Sequence, residues 1–470
     1  MRIERFWAKN YRSLADVDIR FDGDIDVFYG KNGAGKSNIF RGLETLFDSG
    51  SDLGARSTGF ADFGRIPDDV AARFSTDDVF RGASSGERVV LGCEVSLSEE
   101  SPLRLPPQPP LKELVVSSLL LEIQFGFDHN SNVLMGLSRL HLSGGPDLCD
   151  PQEFEDWLDW HSGYSGPELT EAAAALERQL RPLFDSFLPR AVFSLVGDVR
   201  EVGFPRGSSG APHQRLLPGV GNVIEDLLAQ GRLAEALFEA KNSGDPRVNN
   251  RYRDLQEFLH TGLGRSRLDV VTDPISRSLR LIERGNDGFH PIDLAGLGIQ
   301  QLYIMFAQIF LSGARCVAIE EPEAHLHMPD TGLTVRRLLR KALDDGEIDQ
   351  LLIASHDSVF AMDTDAFLEV SLDEQGRTHV ERNEDLTDID RKHVYEPGPI
   401  LRAVQGVMRD LDGDEIVHTR MDTGAPVTAR EMLALIEQAD PVAREYMEQY
   451  QQFVIHLTRA RARKQAATGS

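Results

Sequence analysis

Apolar positions alternate at the start of the chain, then gather into short unbroken runs, then recur at helical spacing. RIERFWA (2–8) alternates, NYRSL interrupts, and ADVDIRF (15–21) alternates again, which predicts two strands joined by a turn. IDVFYG (25–30) is short, apolar and closed by glycine, the profile of a buried strand. GKNGAGKSN follows, and then IFRGLETLF, where Ile39, Leu43, Leu46 and Phe47 fall on one helical face. The predicted order is strand, glycine-rich loop, helix.

Residues 48–85 are rich in Gly, Ser and Asp and read as an irregular insertion. Strands resume at ERVVLGCEVSL and, past the proline-rich SPLRLPPQPPLK, at ELVVSSLLLEIQFGF and NVLMGLSRLHL. From about residue 150 the period turns helical: FEDWLDW, PELTEAAAALERQLRPLFDSFL, NVIEDLLAQGRLAEALFEAKN and NRYRDLQEFLHTGL, with Pro167 and Gly264 fitting helix ends. RLDVVT and RSLRLIERG return to strand. AGLGIQQLYIMFAQIFL reads as helix, ARCVAIEEPEAHLH as strand then loop, TGLTVRRLLRKAL as helix, and IDQLLIASHDSVF and AFLEVSLD as strands. The last ninety residues turn polar and acidic, with two or three helices and a tail TRARARKQAATGS that reads as disordered.

The expected divisions are 1–148, the N-terminal part of an α/β head with the glycine-rich loop; 149–265, a helical insertion; 266–375, the C-terminal part of that head; and 376–470, a small helical region. No internal repeat and no sustained heptad is found, so a long coiled coil is not expected. Composition narrows the class: 470 residues, 41% apolar and 27% charged, exclude a fibrous or globally disordered chain. The net charge of −25 repels a phosphate backbone, so DNA contact would need a local basic patch. Three cysteines (Cys93, Cys149, Cys316) form neither a disulfide framework nor a zinc ribbon. The charged start and the lack of any apolar run near 18 residues predict a soluble, cytoplasmic protein with no membrane partner.

Three stretches carry chemistry. Gly30-Lys31-Asn32-Gly33-Ala34-Gly35-Lys36-Ser37 satisfies G-x-x-x-x-G-K-[ST] between a strand and a helix. Its glycines let successive backbone N–H groups, continuing to Asn38, curl around phosphate oxygens at the positive end of a helix. Lys36 then reaches the β- and γ-phosphates and Ser37 holds Mg²⁺. Val317-Ala318-Ile319-Glu320-Glu321-Pro322-Glu323 is an apolar strand ending in carboxylates, costly unless a cation lies beside it. Successive strand side chains point opposite ways, so one acid serves Mg²⁺ and the other the attacking water. Ile353-Ala354-Ser355-His356-Asp357 ends a later strand in a histidine, which is weak evidence alone but well placed to sense a γ-phosphate. A fourth stretch, Asp293 to Gln301, is a small glycine-bearing turn opening a helix; it reads equally as a plain junction or as a second anion-binding helix end.

In this order the four stretches resemble the ABC-type ATPase heads of the SMC/RecF/OLD (overcoming-lysogenization-defect) group. The opening IERFWAKNYRSLADVDIRF is similar to that group's hairpin, and IEEPEAHLHMPD to its Walker B and D-loop, with Met328 placed before Pro329. The resemblance covers most of residues 1–370. It implies an α/β P-loop fold with a mixed sheet, ATP and Mg²⁺ as cofactors, and a dimer closed around ATP. It assigns Lys36 and Ser37 to phosphate and Mg²⁺, Glu320 to the metal side, Glu321 to the general base and His356 to the switch. Gly296 and Gly298 fall in the signature turn that completes the partner's site, and Arg12 where the hairpin approaches nucleotide. The signature reads AGLGIQQ rather than LSGGQ, which disfavours a membrane importer. No Q-loop glutamine stands out; Gln124 is the nearest candidate.

Other motifs fail on spacing. In the run from Asp410, an EF-hand needs Gly at position six and Glu at twelve, where Glu415 and Met421 stand. His325 and His327 sit inside the D-loop match rather than in a metal pair. The C-terminal ninety residues hold no ordered Glu and D-x-D for a TOPRIM nuclease. The basic cluster Arg459, Arg461, Arg463 and Lys464 reads as a tail rather than a DNA grip. The resemblance then implies the sensor or regulator ATPase of a bacterial anti-phage complex, such as Septu or PARIS, with a separate nuclease effector. Two alternatives stay open: a RecF- or SMC-like repair ATPase that clamps DNA, and a nucleotide-gated scaffold with little turnover.

Overall fold

The computed structural model describes residues 1–54, 64–65, 74–83, 87–98, 102–128, 130, 132–145, 167–197, 224, 227–228, 232–264, 267–272, 278–285, 288–292, 297–323, 329–356, 360, 364, 366–383, 408, 411–419, 425–437 and 446. Residues 1–356 with 367–382 form one compact unit, and 357–366 with 383–470 form a second.

In the first unit the opening strands are β1 (Arg2–Tyr11), β2 (Leu14–Arg20) and β3 (Ile25–Tyr29), followed by helix α1 (Lys36–Gly54). Next come β4 (Gly64–Arg65), β5 (Val89–Ser96), β6 (Leu103–Leu105), β7 (Leu114–Val116), β8 (Ser118–Phe127) and β9 (Val133–Leu142). Helix α2 (Pro167–Pro182) runs into a π-helical stretch, Leu183–Val192, and then β10 (Phe193–Val196). Helices α3 (Leu233–Asn242) and α4 (Pro246–Leu263) precede β11 (Arg267–Thr272), β12 (Leu279–Gly285) and β13 (Gly288–Pro291). The unit closes with α5 (Leu297–Ser312), β14 (Cys316–Glu320), α6 (Pro329–Asp344), β15 (Gln350–Ser355), β16 (Phe367–Leu372) and β17 (Thr378–Asn383).

Two six-stranded sheets organise these elements. One has the order β10-β14-β15-β3-β16-β17, and its first four pairings are all parallel. Its strands are the unbroken apolar runs of the sequence: Val27, Phe28, Val317, Ala318, Ile319 and Leu351 to Ala354 are buried, as a sheet covered on both faces requires. The other sheet has the order β2-β1-β5-β8-β9-β4 and its pairings are antiparallel. Its strands alternate because only one face is covered. On its outward face Trp7 lies over Gly92, where an added Cβ would stand 2.2 Å from the indole.

Helix α1 contributes to the common core, burying Ile39, Phe40, Leu43, Leu46 and Phe47. The Phe40 ring meets Phe28 edge-on at 5.2 Å. Each such side chain contributes about 1.5–3 kcal/mol by leaving water. A Cβ on Gly42 would come within 2.8 Å of Phe6, so this glycine lets α1 press onto β1.

Helix α4 begins at Asp245, whose carboxylate caps the Arg247 amide, and ends at Gly264 in left-handed backbone. Lys241, Tyr252 and Arg284 all converge on the buried Asp269, tying α3 and α4 to the three-stranded sheet β11-β12-β13.

Two expectations are revised. Strand β17 extends the parallel-side sheet past residue 375, where the pattern had closed the head. The second unit is not purely helical: β18 (Ile416–Thr419) pairs with β19 (Pro426–Thr428) ahead of α7 (Ala429–Glu437), around Met408, Val427, Ala429, Met432 and Ile436. Strands of three or four residues are too short to print a period on the sequence. FEDWLDW, residues 293–296, His325, His327, Asp410 and the basic tail lie outside the described residues.

Candidate functional site

Parallel pairing decides where the chemistry gathers. Because β3, β15 and β14 run the same way, Gly30, His356 and Glu321, which follow them, share one edge of the sheet. That edge, at the carboxyl ends of parallel strands, is where α/β folds hold ligands. β15 separates β3 from β14, so the glycine loop and the acids stand two strand spacings apart, about 10 Å.

The loop is built as an anion cradle. Gly33 (φ +80°) and Gly35 (φ +105°) take backbone that L side chains rarely adopt. A Cβ on Gly30 would sit 2.2 Å from the Val370 carbonyl, and one on Gly35 would sit 2.1 Å from Thr378 Oγ1. Thr378 Oγ1 bonds the Ala34 carbonyl at 3.2 Å and Ser13 Oγ at 2.7 Å, and Asn38 Nδ2 donates to Ser13 Oγ at 2.7 Å. The loop is therefore braced from behind by the β1–β2 turn and by β17. Its front, at Lys31, Asn32, Gly33 and Ser37, is exposed.

Lys36 is buried, its Nζ donating to the Gly30 carbonyl at 2.6 Å and the Lys31 carbonyl at 3.2 Å. Burial pushes the ammonium below the usual lysine range, while Glu321, Glu323 and Glu320 pull it back up. One cation thus feels all three acids across the edge.

Among those acids, Glu320 Oε1 and Glu323 Oε2 are buried with no hydrogen-bond partner. Unpaired carboxylate oxygens accept only, so their chemistry fits a hard cation such as Mg²⁺ or its water shell. Glu321 adopts φ +44°, a left-handed backbone for a non-glycine residue, and its amide donates to the Ala354 carbonyl at 2.8 Å. His356 is exposed, with Nδ1 3.2 Å from Glu323 Oε1.

The family described as AAA ATPase domain matches residues 1–95, and the family described as AAA domain, putative AbiEii toxin, type IV TA system matches residues 147–363. The first match holds the glycine loop and the second the acids and His356, the parts that the sheet joins along one edge. The fold is that of a mixed α/β P-loop ATPase domain.

Solved structures similar to this ATPase head include the Smc head bound to the C-terminal winged-helix domain of ScpA (13% identity, 82% of this chain and 99% of that one, TM-score 0.45). The SMC head domain from Thermotoga maritima aligns at 12% identity (81% and 98%, TM-score 0.40). A Pyrococcus furiosus Smc head with an extended coiled coil, bound to the C-terminal domain of ScpA, aligns at 14% (84% and 99%, TM-score 0.42). No curated protein sequence matches the chain.

The remaining expected residues divide. Arg12, in left-handed backbone, donates from Nε to Asp78 Oδ1 at 2.8 Å and lies over the Tyr11 ring. With Asn38, Asp77, Phe80 and Gly376 it lines a cavity of about 810 Å³ beside the start of α1. Gly298 lies in the first turn of α5, while Gly296 is outside the described residues. Gln124 is a correction: it stands mid-strand in β8 and accepts from Arg88 at 2.8 Å, so it belongs to no loop. Spacing missed Ser13, Thr378 and Glu323. The first lies in a turn read only as an interruption; the second lies far along the chain, in a short strand whose THV alternation was its one signal. No described helix is long and apolar enough to cross a membrane.

Proposed function

We propose that the ATPase head binds and hydrolyses ATP, dimerises around it, and serves as the sensor or regulator subunit of a bacterial anti-phage complex with a separate nuclease effector. The single observation carrying the nucleotide part is the buried Lys36, held at the loop's mouth within the field of Glu320, Glu321 and Glu323. In this reading the backbone N–H groups of residues 31–38 bind the phosphates, Lys36 neutralises the charge that develops on them, and Arg12 fixes the nucleoside end in the adjoining cavity. Ser37 and Glu320 hold Mg²⁺, which when bound supplies Lewis-acid stabilisation of the phosphoryl oxygens. Glu321 orients the attacking water and takes its proton, and His356 contacts the γ-phosphate. Gly296 and Gly298 complete the partner's site in trans.

Two observations support the biological role. The family matching residues 147–363 is described as a putative toxin of a type IV toxin–antitoxin system, a two-component arrangement. A net charge of −25 suits a basic protein partner better than bare DNA. The test is ATP turnover by the purified chain together with affinity capture from the native host. Turnover, with a co-purifying nuclease, is the expected result. Hydrolysis that rises steeply with DNA and falls with salt would move the reading to a DNA clamp, and binding without turnover would move it to a nucleotide-gated scaffold.

A further inference from the structure

A third acid stands behind the switch histidine. Glu323 Oε1 accepts from Ser355 Oγ at 2.6 Å and from the His356 amide at 3.2 Å, and it lies 3.2 Å from His356 Nδ1. Ser355 is fully buried and Glu323 nearly so, its side chain 10% exposed against 40% for His356. We propose that Glu323 is the positioning residue for His356: it holds the imidazole with the proton on Nδ1 and so presents Nε2 as the one ring nitrogen able to meet the nucleotide.

The geometry supplies the reason. An ionised carboxylate accepts and cannot donate, so the ring nitrogen that faces it at ion-pair distance, Nδ1 at 3.2 Å, carries the hydrogen. The same oxygen holds the His356 backbone and the preceding hydroxyl, which fixes the chain at the end of β15 as well as the ring. Glu323 thus joins the strand end that carries the acids to the strand end that carries the histidine, and a shift of one is felt by the other. Strand alternation separated the neighbouring Glu320 and Glu321, the resemblance assigned their roles, and Glu323 was left unused. Burial holds the Glu323 carboxyl above the usual range, and the Ser355 hydroxyl, its main compensating donor, pulls it back down.

This role rests on the ATP-site reading only for its kinetic part, so the test has two arms. The first needs no nucleotide. ¹⁵N-labelled histidine spectra of the whole chain, with the His356 signal among the thirteen histidines assigned by its loss in His356→Gln, report which ring nitrogen is protonated. The expected spectrum shows Nδ1–H in the unaltered chain, moving toward Nε2–H in Glu323→Leu, which removes the acceptor, and staying Nδ1–H in Glu323→Gln, whose amide oxygen still accepts. A His356 signal already Nε2-protonated, or one unmoved by Glu323→Leu, overturns the proposal. The second arm is single-turnover hydrolysis: Glu323→Leu and His356→Gln each slow it about 10²-fold with ATP affinity kept within about threefold. The double variant is no slower than either single one. Additive losses overturn the coupling, while an unaltered chain with no turnover at all defeats the ATPase reading and leaves the spectral arm standing.

Discussion

The glycine loop and the acidic strand end face each other across one sheet edge, and they are finished to different degrees. At the loop the buried cation already has protein partners, Lys36 Nζ on two carbonyls, and the backbone behind it is wedged by Thr378 and Ser13. At the acids, two buried carboxylate oxygens have no donor and Glu321 holds an unfavourable φ. Burying an acceptor without a partner costs about 1–3 kcal/mol. The difference teaches that the loop is preformed for binding, whereas the acid side stores free energy that a cation and nucleotide would release. Substitutions on the loop should therefore change affinity, and those on the acid side should change rate.

The sharpest break of that contrast is Glu321→Gln. Turnover should fall by about 10³-fold, with ATP retained and the dimer accumulating in light-scattering measurements. Unchanged turnover would remove Glu321 as the base. Lys36→Ala should instead weaken ATP by about 10²-fold in a direct binding titration, since its contacts are charge-assisted. Gly35→Ala comes next. Its Cβ would press on Thr378 and its φ of +105° suits glycine alone, so denaturant unfolding should show a loss of about 2 kcal/mol. Pairing it with Thr378→Ala should recover the part due to the clash and leave the part due to φ.

The smallest effect lies under the loop, on β3. Burial pushes the Asp26 carboxyl up to about 6, and its Oδ2 has no partner. Its folded-state value lies above the ordinary 3.8, so between about pH 4 and 6 the folded chain binds more protons than the unfolded one. Stability contributed by this group is therefore present below pH 4 and is lost as pH rises through 6. Asp26→Asn should raise stability by about 1 kcal/mol at pH 7 and leave it unchanged near pH 4 in parallel melts.

Much of this was legible because burial on two faces writes unbroken apolar runs. IDVFY, CVAIE and QLLIAS each announce a central strand, and each stops at the residue where the chemistry starts. The loop's glycines were equally plain, since positive φ and close approach leave few substitutes. What stayed hidden was non-local. Nothing in the spacing of Thr378 or Ser13 says that they brace a loop built from residues 30–37. Gln124 misled because a glutamine on an outward strand face looks, in sequence, like one in a loop. Strand alternation separated Glu320 from Glu321, but the part played by Glu323 depends on which groups its oxygens meet, a matter of fold rather than of order.

One feature of the sheet bears on how the chain is made. Strand β3 emerges early from the ribosome, yet its flanking neighbours are β15 and β16. A nascent chain of 340 residues has synthesised the glycine bend but neither strand that clasps it, nor the threonine wedge behind it. Competence to capture a triphosphate therefore arrives abruptly and late in translation, and a truncated product would carry the motif without the ability to use it.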